Sequence, residues 1–281
     1  MEQVIADRYE VMSALGEGAL GEVFRVLDRE DRTVKALKLL KATGLADTTL
    51  ARFEREFRVI RSIEHPHVVR VYDFGVHATP DGERAYFSME LLKGTDLAGW
   101  CAGNRPRPGH PGFEEYARNC GYLFHQLADG LATVHAAGIV HRDLKPANII
   151  VRPGRHPRAK LLDFGHARDN EGEDLTQTGT VLGTASYMPP EQAMGKPPAP
   201  AADLYGLGCV LFEALTGAPP FDGASVVHVL LGHLQKPVPD PRAVDDRVPD
   251  GLAEVCMKLL AKAPADRPPD ARALADLLAH Y

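Results

Sequence analysis

The chain has 281 residues, 44% of them hydrophobic, and a formal net charge of -6. That is enough apolar material for a sizeable core in one large domain or two lobes, and the acidic balance argues against the basic face that non-specific nucleic-acid binding requires, so no nucleic-acid partner is expected. Cys101, Cys120, Cys209 and Cys256 lie far apart with no C-x-x-C pairing, which points to reduced thiols in a cytoplasmic protein and away from a metal site built on them.

The stretch Met1 to Arg8 lacks the apolar run of a signal peptide. The apolar run Gly206 to Leu215 is interrupted by Glu213 and too short to span a bilayer, so a soluble chain without a membrane segment is expected. Tyr9 to Leu27 then reads as strand, glycine loop, strand. In the loop, Gly16, Gly18 and Gly21 let the backbone approach phosphate oxygens without a Cβ clash and make positive φ available. A G-x-G-x-x-G also fits a dinucleotide site, where a helix follows the last glycine. Here Val23-Phe24-Arg25-Val26-Leu27 follows, β-rich, and then a turn at 28–32, which favours a flap between two antiparallel strands. In the next strand, Thr33 to Leu40, alternation sets Val34, Ala36 and Lys38 against Lys35 and Leu37. Small Ala36 beside Val23 can floor an adenine pocket, Lys38 can reach nucleotide phosphates, and Lys35 is expected to be solvated.

Residues 48–63 carry Leu50, Phe53, Phe57 and Ile60 at three- and four-residue spacing, which predicts a helix with one apolar face, capped by Thr48 or Thr49. Glu56 beside that face is either a surface charge or an ion-pair partner for Lys38. His65-Pro66 ends the helix, and 68–74 and 84–92 read as strands. Residues 101–112, with several Pro and Gly, read as a loop without assignable chemistry. Glu115 to His135 is predicted as a long helix with Leu123, Phe124, Leu127, Leu131 and Val134 inward, closed by Gly138.

The chemistry concentrates in His141-Arg142-Asp143-Leu144-Lys145-Pro146-Ala147-Asn148, with a strand-like Ile149-Ile150-Val151 after it and Asp163-Phe164-Gly165 further on. This set suits phosphoryl transfer: Asp143 can position a hydroxyl and accept its proton, Lys145 can neutralise charge on the moving group, and Asn148 and Asp163 can hold Mg²⁺. His135 and His141 can be read as a metal pair or a base, but a structural role is favoured for both. From Arg168 to Gly179 the chain is polar and reads as a mobile loop.

These motifs together resemble the catalytic domain of eukaryotic-type (Hanks-type) serine/threonine protein kinases, with wording most like the bacterial branch. The resemblance runs over nearly the whole chain. It implies an α+β, bilobal fold: a small antiparallel β-rich N-lobe over about 1–92 with one key helix, a hinge at about 90–94, and a larger, mainly helical C-lobe over about 95–281. It implies that Gly16, Gly18, Gly21, Val23, Ala36, Lys38 and Ile150 contact ATP. Glu56 would pair with Lys38, and Met89, Glu90 and Leu92 would form the hinge against adenine. Mg²⁺, with Mn²⁺ as the alternative, is implied at Asn148 and Asp163. His141 is expected to pack on Phe164. Thr184, Glu191, Asp203 and Arg267 resemble the part that presents a protein substrate, with Glu191 paired to Arg267 and Asp203 tying down the catalytic-loop backbone. Two departures stand out: Pro189-Pro190-Glu191 where the family has A-P-E, and His166 where an aliphatic residue is usual.

The function implied is transfer of the ATP γ-phosphate to protein serine or threonine. Arg142 is positioned to receive a phosphate on Thr176 or Thr178, through autophosphorylation in a transient homodimer. Two other readings compete, a pseudokinase binding scaffold and a small-molecule kinase of related fold. A scaffold has no chemical need for Lys38, Glu56, Asp143, Lys145, Asn148 and Asp163 together, and a small-molecule kinase has none for Thr184, Glu191, Asp203 and Arg267.

Overall fold

The computed structural model describes residues 3–18, 21–43, 54, 57–80, 82–163 and 184–281. Thr48, Thr49, Glu56, Phe164, Gly165, His166, Thr176 and Thr178 lie outside them. The described residues fall into two compact units. The first takes those up to His65 together with Val69–Lys93, and the second takes Pro66–Val68 and those from Gly94 onward.

The first unit is built on one antiparallel sheet. Its strands are β1 (Val4–Ile5), β2 (Tyr9–Glu17), β3 (Gly21–Asp28), β4 (Val34–Thr43), β5 (Val71–Thr79) and β6 (Gly82–Glu90), in the order β1-β2-β3-β4-β6-β5. Alternation along β4 sends Leu37 and Leu39 into a core with Ile5, Tyr9, Phe24, Val26 and Tyr86. The helical residues 57–61 set Phe57 against Phe74 of β5, with ring centroids 5.4 Å apart. Register places Val23 of β3, Lys38 of β4 and Phe87 of β6 in one row, and Arg25, Ala36 and Met89 in another.

Lys35 corrects the sequence reading: it is buried, not solvated. Its ammonium lies 2.6 Å from Asp28 and 2.6 Å from Asp31. Asp28 has no exposed surface and also accepts two bonds from Arg8, at 2.8 and 2.6 Å. Alternation along β4 cannot reveal this, because Asp28 comes from the end of β3, Asp31 from the β3–β4 turn and the arginine from before β2. The two cations hold the Asp28 carboxyl well below the usual carboxylate range, with the Arg8 bonds the largest cause and burial opposing them.

The second unit is mainly helical. Its elements are α1 (Leu97–Asn104), α2 (Phe113–Ala136), α3 (Pro190–Ala193), α4 (Pro200–Thr216), α5 (Val226–Gln235), α6 (Pro241–Val244), α7 (Asp250–Leu259) and α8 (Ala271–Leu278), with a small sheet of β7 (Thr95–Asp96), β8 (Ile149–Arg152) and β9 (Arg158–Leu161). The five apolar residues predicted to face inward from α2 are all fully buried. Gly138 follows that helix at φ 78°, the left-handed stop glycine supplies cheaply. Among the described residues no helix is long and apolar enough to cross a membrane.

The predicted loop 101–112 is a loop only in part. Residues 101–104 belong to α1, capped by Asp96 accepting from the Gly99 amide at 2.7 Å. Cys101-Ala102-Gly103-Asn104 has no apolar period to announce a helix, which forms because Trp100 stacks on Tyr116 of α2 at 5.5 Å. The rest is anchored by Arg105 to Asp245 at 2.6 Å and by Arg247 to the carbonyls of Pro106 and Arg107 at 3.2 and 3.0 Å.

Replacing Lys35 by Met leaves the buried Asp28 with one cation in place of two. Urea unfolding is expected to register a loss of about 3 kcal/mol, the scale of a broken buried pair; an unchanged midpoint and slope would show the cluster to be energetically idle.

Candidate active site

The second unit assembles the catalytic-loop residues around one buried carboxylate. Asp203, on the first turn of α4, accepts the His141 amide at 2.7 Å and the Arg142 amide at 2.8 Å, and bonds His135 Nε2 at 2.8 Å. The loop needs such a clamp, since Arg142 sits at φ 68°, a left-handed conformation disfavoured for a side chain with a Cβ. Beyond it, Lys145 Nζ donates to Asp143 Oδ2 at 2.7 Å. Asn148 Nδ2 donates to the Asp143 carbonyl at 2.7 Å and to Oδ2 at 3.1 Å. Both amide hydrogens of Asn148 thus serve Asp143, which leaves Oδ1 as the atom suited to a cation.

The same loop fixes the approach to Asp163. The Leu162 amide donates to the Asn148 carbonyl at 2.8 Å, and His141 Nε2 bonds the Leu162 carbonyl at 2.7 Å. His141 is fully buried and burial pushes its pKa down, so the ring is neutral and donates through Nε2. Asp163 itself is in the left-handed region at φ 45°. The oxygens of Asn148 and Asp163 are a donor set that fits a hard divalent cation. Ile150 lies half-buried in β8, across from Lys160.

The segment from Thr184 is anchored from below. Thr184 opens a turn closed by the Tyr187 amide on its carbonyl at 3.2 Å. Arg267 meets Glu191 through two parallel bonds, 2.6 and 2.9 Å. Its three remaining donors go to the carbonyls of Ala201, Ala261 and Lys262, so the guanidinium is fully satisfied at 4% exposure. Burial alone would raise the Glu191 pKa, but Arg267 outweighs it and holds the carboxyl below its ordinary value. Tyr187 donates to Glu213 of α4 at 2.6 Å, a contact the sequence reading missed.

The first unit holds the other predicted residues. Gly16 and Gly18 do not take up the positive φ available to them, and a Cβ on Gly16 would meet nothing within 4 Å. What they offer is bare backbone. Gly21 differs: a Cβ there would collide with the Leu39 carbonyl, so its smallness serves strand packing. Lys38 is 7% exposed with its ammonium 5.9 Å from the Phe87 ring centroid. Ala36 and Met89 are buried in the neighbouring row. The Glu90 amide is committed to the Arg70 carbonyl at 2.9 Å.

The description of the protein kinase domain matches residues 9–280. The chain belongs to the protein kinase family. It is 39% identical over 269 residues to the serine/threonine-protein kinase PknB of Mycolicibacterium smegmatis, covering 94% of this chain and 41% of that protein. It is 36% identical over 283 residues to the serine/threonine-protein kinase pkn3 of Myxococcus xanthus, covering 96% and 49%. With the DNA damage-responsive serine/threonine-protein kinase RqkA of Deinococcus radiodurans it shares 39% over 278 residues, covering 98% and 40%. The kinase domain therefore spans less than half the length of these relatives.

A neutral, buried His141 carries a sign. Its folded pKa lies below the ordinary 6.5, so the unfolded chain binds the proton more readily, and His233, lowered to about 4 by burial and Lys262, acts the same way. Their contribution to the stability of the kinase domain is complete above about pH 6.5 and is lost as pH falls towards 4. Melting temperature against pH is expected to decline over that window, and His233→Gln to flatten the decline; a profile of the parent flat from pH 7 to 5 would contradict it.

Proposed function

We propose that this domain is an ATP-dependent protein serine/threonine kinase. The observation that carries the reading is Asp143, with one carboxylate oxygen held by both Lys145 and Asn148 on a loop whose backbone Asp203 clamps. A carboxylate so oriented is suited to accept the proton of an attacking hydroxyl, while Lys145 offsets charge on the transferring group. Bound ATP supplies the γ-phosphoryl group, and a divalent cation, Mg²⁺ with Mn²⁺ as the alternative, supplies charge neutralisation. The bare backbone at Gly16 and Gly18, the row Val23–Lys38 and small Ala36 fit nucleotide binding. Backbone groups near Glu90 and Leu92 would meet the adenine edge, the Glu90 amide itself being held by the Arg70 carbonyl. Asn148 Oδ1 and Asp163 would hold the cation. The turn at Thr184, anchored through Glu191 and Arg267, supports a protein acceptor over a small molecule.

Control is proposed through autophosphorylation on Thr176 or Thr178 between two transiently associated copies, the phosphate docking on Arg142. The four free cysteines are in keeping with a reducing, cytoplasmic setting.

Asp143→Asn keeps the size of the side chain and loses the base. Labelled-ATP transfer to a protein acceptor is expected to fall on the order of 10²–10⁴-fold with nucleotide affinity little changed. Lys38→Met and Asp163→Asn should abolish transfer through the phosphates and the cation. Collapse of ATP binding in the Asp143 variant would make that residue structural, and phosphotyrosine as the main product would overturn the acceptor class. Peptide mapping after incubation with ATP tests the loop, where a Thr176/Thr178 double Ala variant as fast as the parent would remove the proposed control.

A further inference from the structure

One hairpin of the second unit carries charge that neither the fold nor the proposed reaction uses. From Ile149 to Leu162 the chain has no acidic residue, yet it carries Arg152, Arg155, His156, Arg158 and Lys160 in a chain of net charge -6. Arg152, Arg155 and Arg158 are exposed. None of the three has an ion pair among the described residues; Arg25, Arg32 and Arg107 are likewise without one but lie singly in the chain.

The register makes this clustering costly. Arg152 lies directly across from Arg158 in the β8–β9 pairing, so both side chains leave one face side by side. Like charges at opposed positions destabilise a strand pair. The opposite face is fully buried through Ile149, Val151, Ala159 and Leu161, so the hairpin cannot slip to separate the arginines. Its backbone is also held from beneath. Buried Gln126 donates to the Pro157 carbonyl at 3.0 Å and accepts the Ala159 amide at 2.9 Å, one clamp on each side of Arg158. His67 bonds the Ala159 carbonyl at 3.0 Å. Pro153 and Pro157 restrict the tip that bears Arg155. Two arginines thus leave one face of a clamped hairpin at opposed positions, with a third in the turn that joins its strands.

We propose that this hairpin is a recognition site for a phosphorylated segment of a protein partner, Arg152 and Arg158 sharing the oxygens of one phosphoserine or phosphothreonine and Arg155 meeting a flanking anionic group. A phosphate near -2 charge turns the like-charge pair into a bridged one, and the planar guanidinium matches its oxygens two at a time. An opposed pair of arginines with a third in the turn matches one phosphate and one flanking anion. An extended polyanion, whether nucleic acid or an acidic membrane, would meet an otherwise acidic chain. The site needs no catalysis, so it stands or falls separately from the kinase reading.

The test is fluorescence anisotropy with a degenerate peptide pool fixed at a central phosphothreonine, its unphosphorylated twin, and a DNA duplex, on the full chain. The phosphorylated pool is expected to bind, the twin to bind at least about tenfold more weakly, and an Arg152→Ala/Arg158→Ala variant to lose the difference. Because the pair is repulsive, that variant is expected to melt no lower than the parent. Equal binding of the two pools, tighter binding of the duplex, or a marked fall in melting temperature in the variant, which would make the arginines structural, each overturns the proposal.

Discussion

A single buried carboxylate underlies the catalytic half of this domain. Asp203 is 2% exposed and receives two backbone amides of the loop and a histidine of α2. The loop it holds contains a left-handed Arg142, a conformation that persists only where surrounding contacts over-determine it. From that clamp the order passes outward. His141, fixed at its amide, reaches the Leu162 carbonyl, and Asn148 takes the Leu162 amide. Asp143 and the residue before Asp163 are therefore set by one hydrogen-bond network, and losing its central acceptor would loosen both.

The first unit uses a comparable device for a different end. Asp28, with no exposed surface, gathers Arg8 and Lys35, and Asp31 closes the cluster. It ties the segment before β2 to the β3–β4 turn. Lys35 and Lys38 sit three residues apart on one strand, both buried, and the alternation of the strand sends them to opposite faces. One is held in an ion cluster on the core side. The other shares a row with Val23 and Phe87, where nucleotide chemistry is proposed.

Apolar periodicity made the long helix α2 legible, because its inward residues recur at helical spacing. Motif spacing made the pairing of Glu191 with Arg267 and the tethering of Asp203 legible through resemblance to a family. The burial of Lys35, the helical state of residues 101–104 and the Tyr187–Glu213 bond were not legible. Each depends on a partner that is distant in the chain or hidden by alternation, and no local pattern encodes it. The glycine loop shows the same limit at finer grain: three glycines look alike in sequence, but only Gly21 is confined by a neighbouring carbonyl.

By itself, the sequence carried the family, the side chains proposed to react and the order of most elements. These follow from residue type, period and short-range spacing, which are local properties. Tertiary structure alone decided which lysine is held by acids, that both Asn148 amide hydrogens serve Asp143, and that Arg152 faces Arg158 across a clamped hairpin. Those outcomes depend on burial and register, and both come into being only when distant segments exclude water from one another.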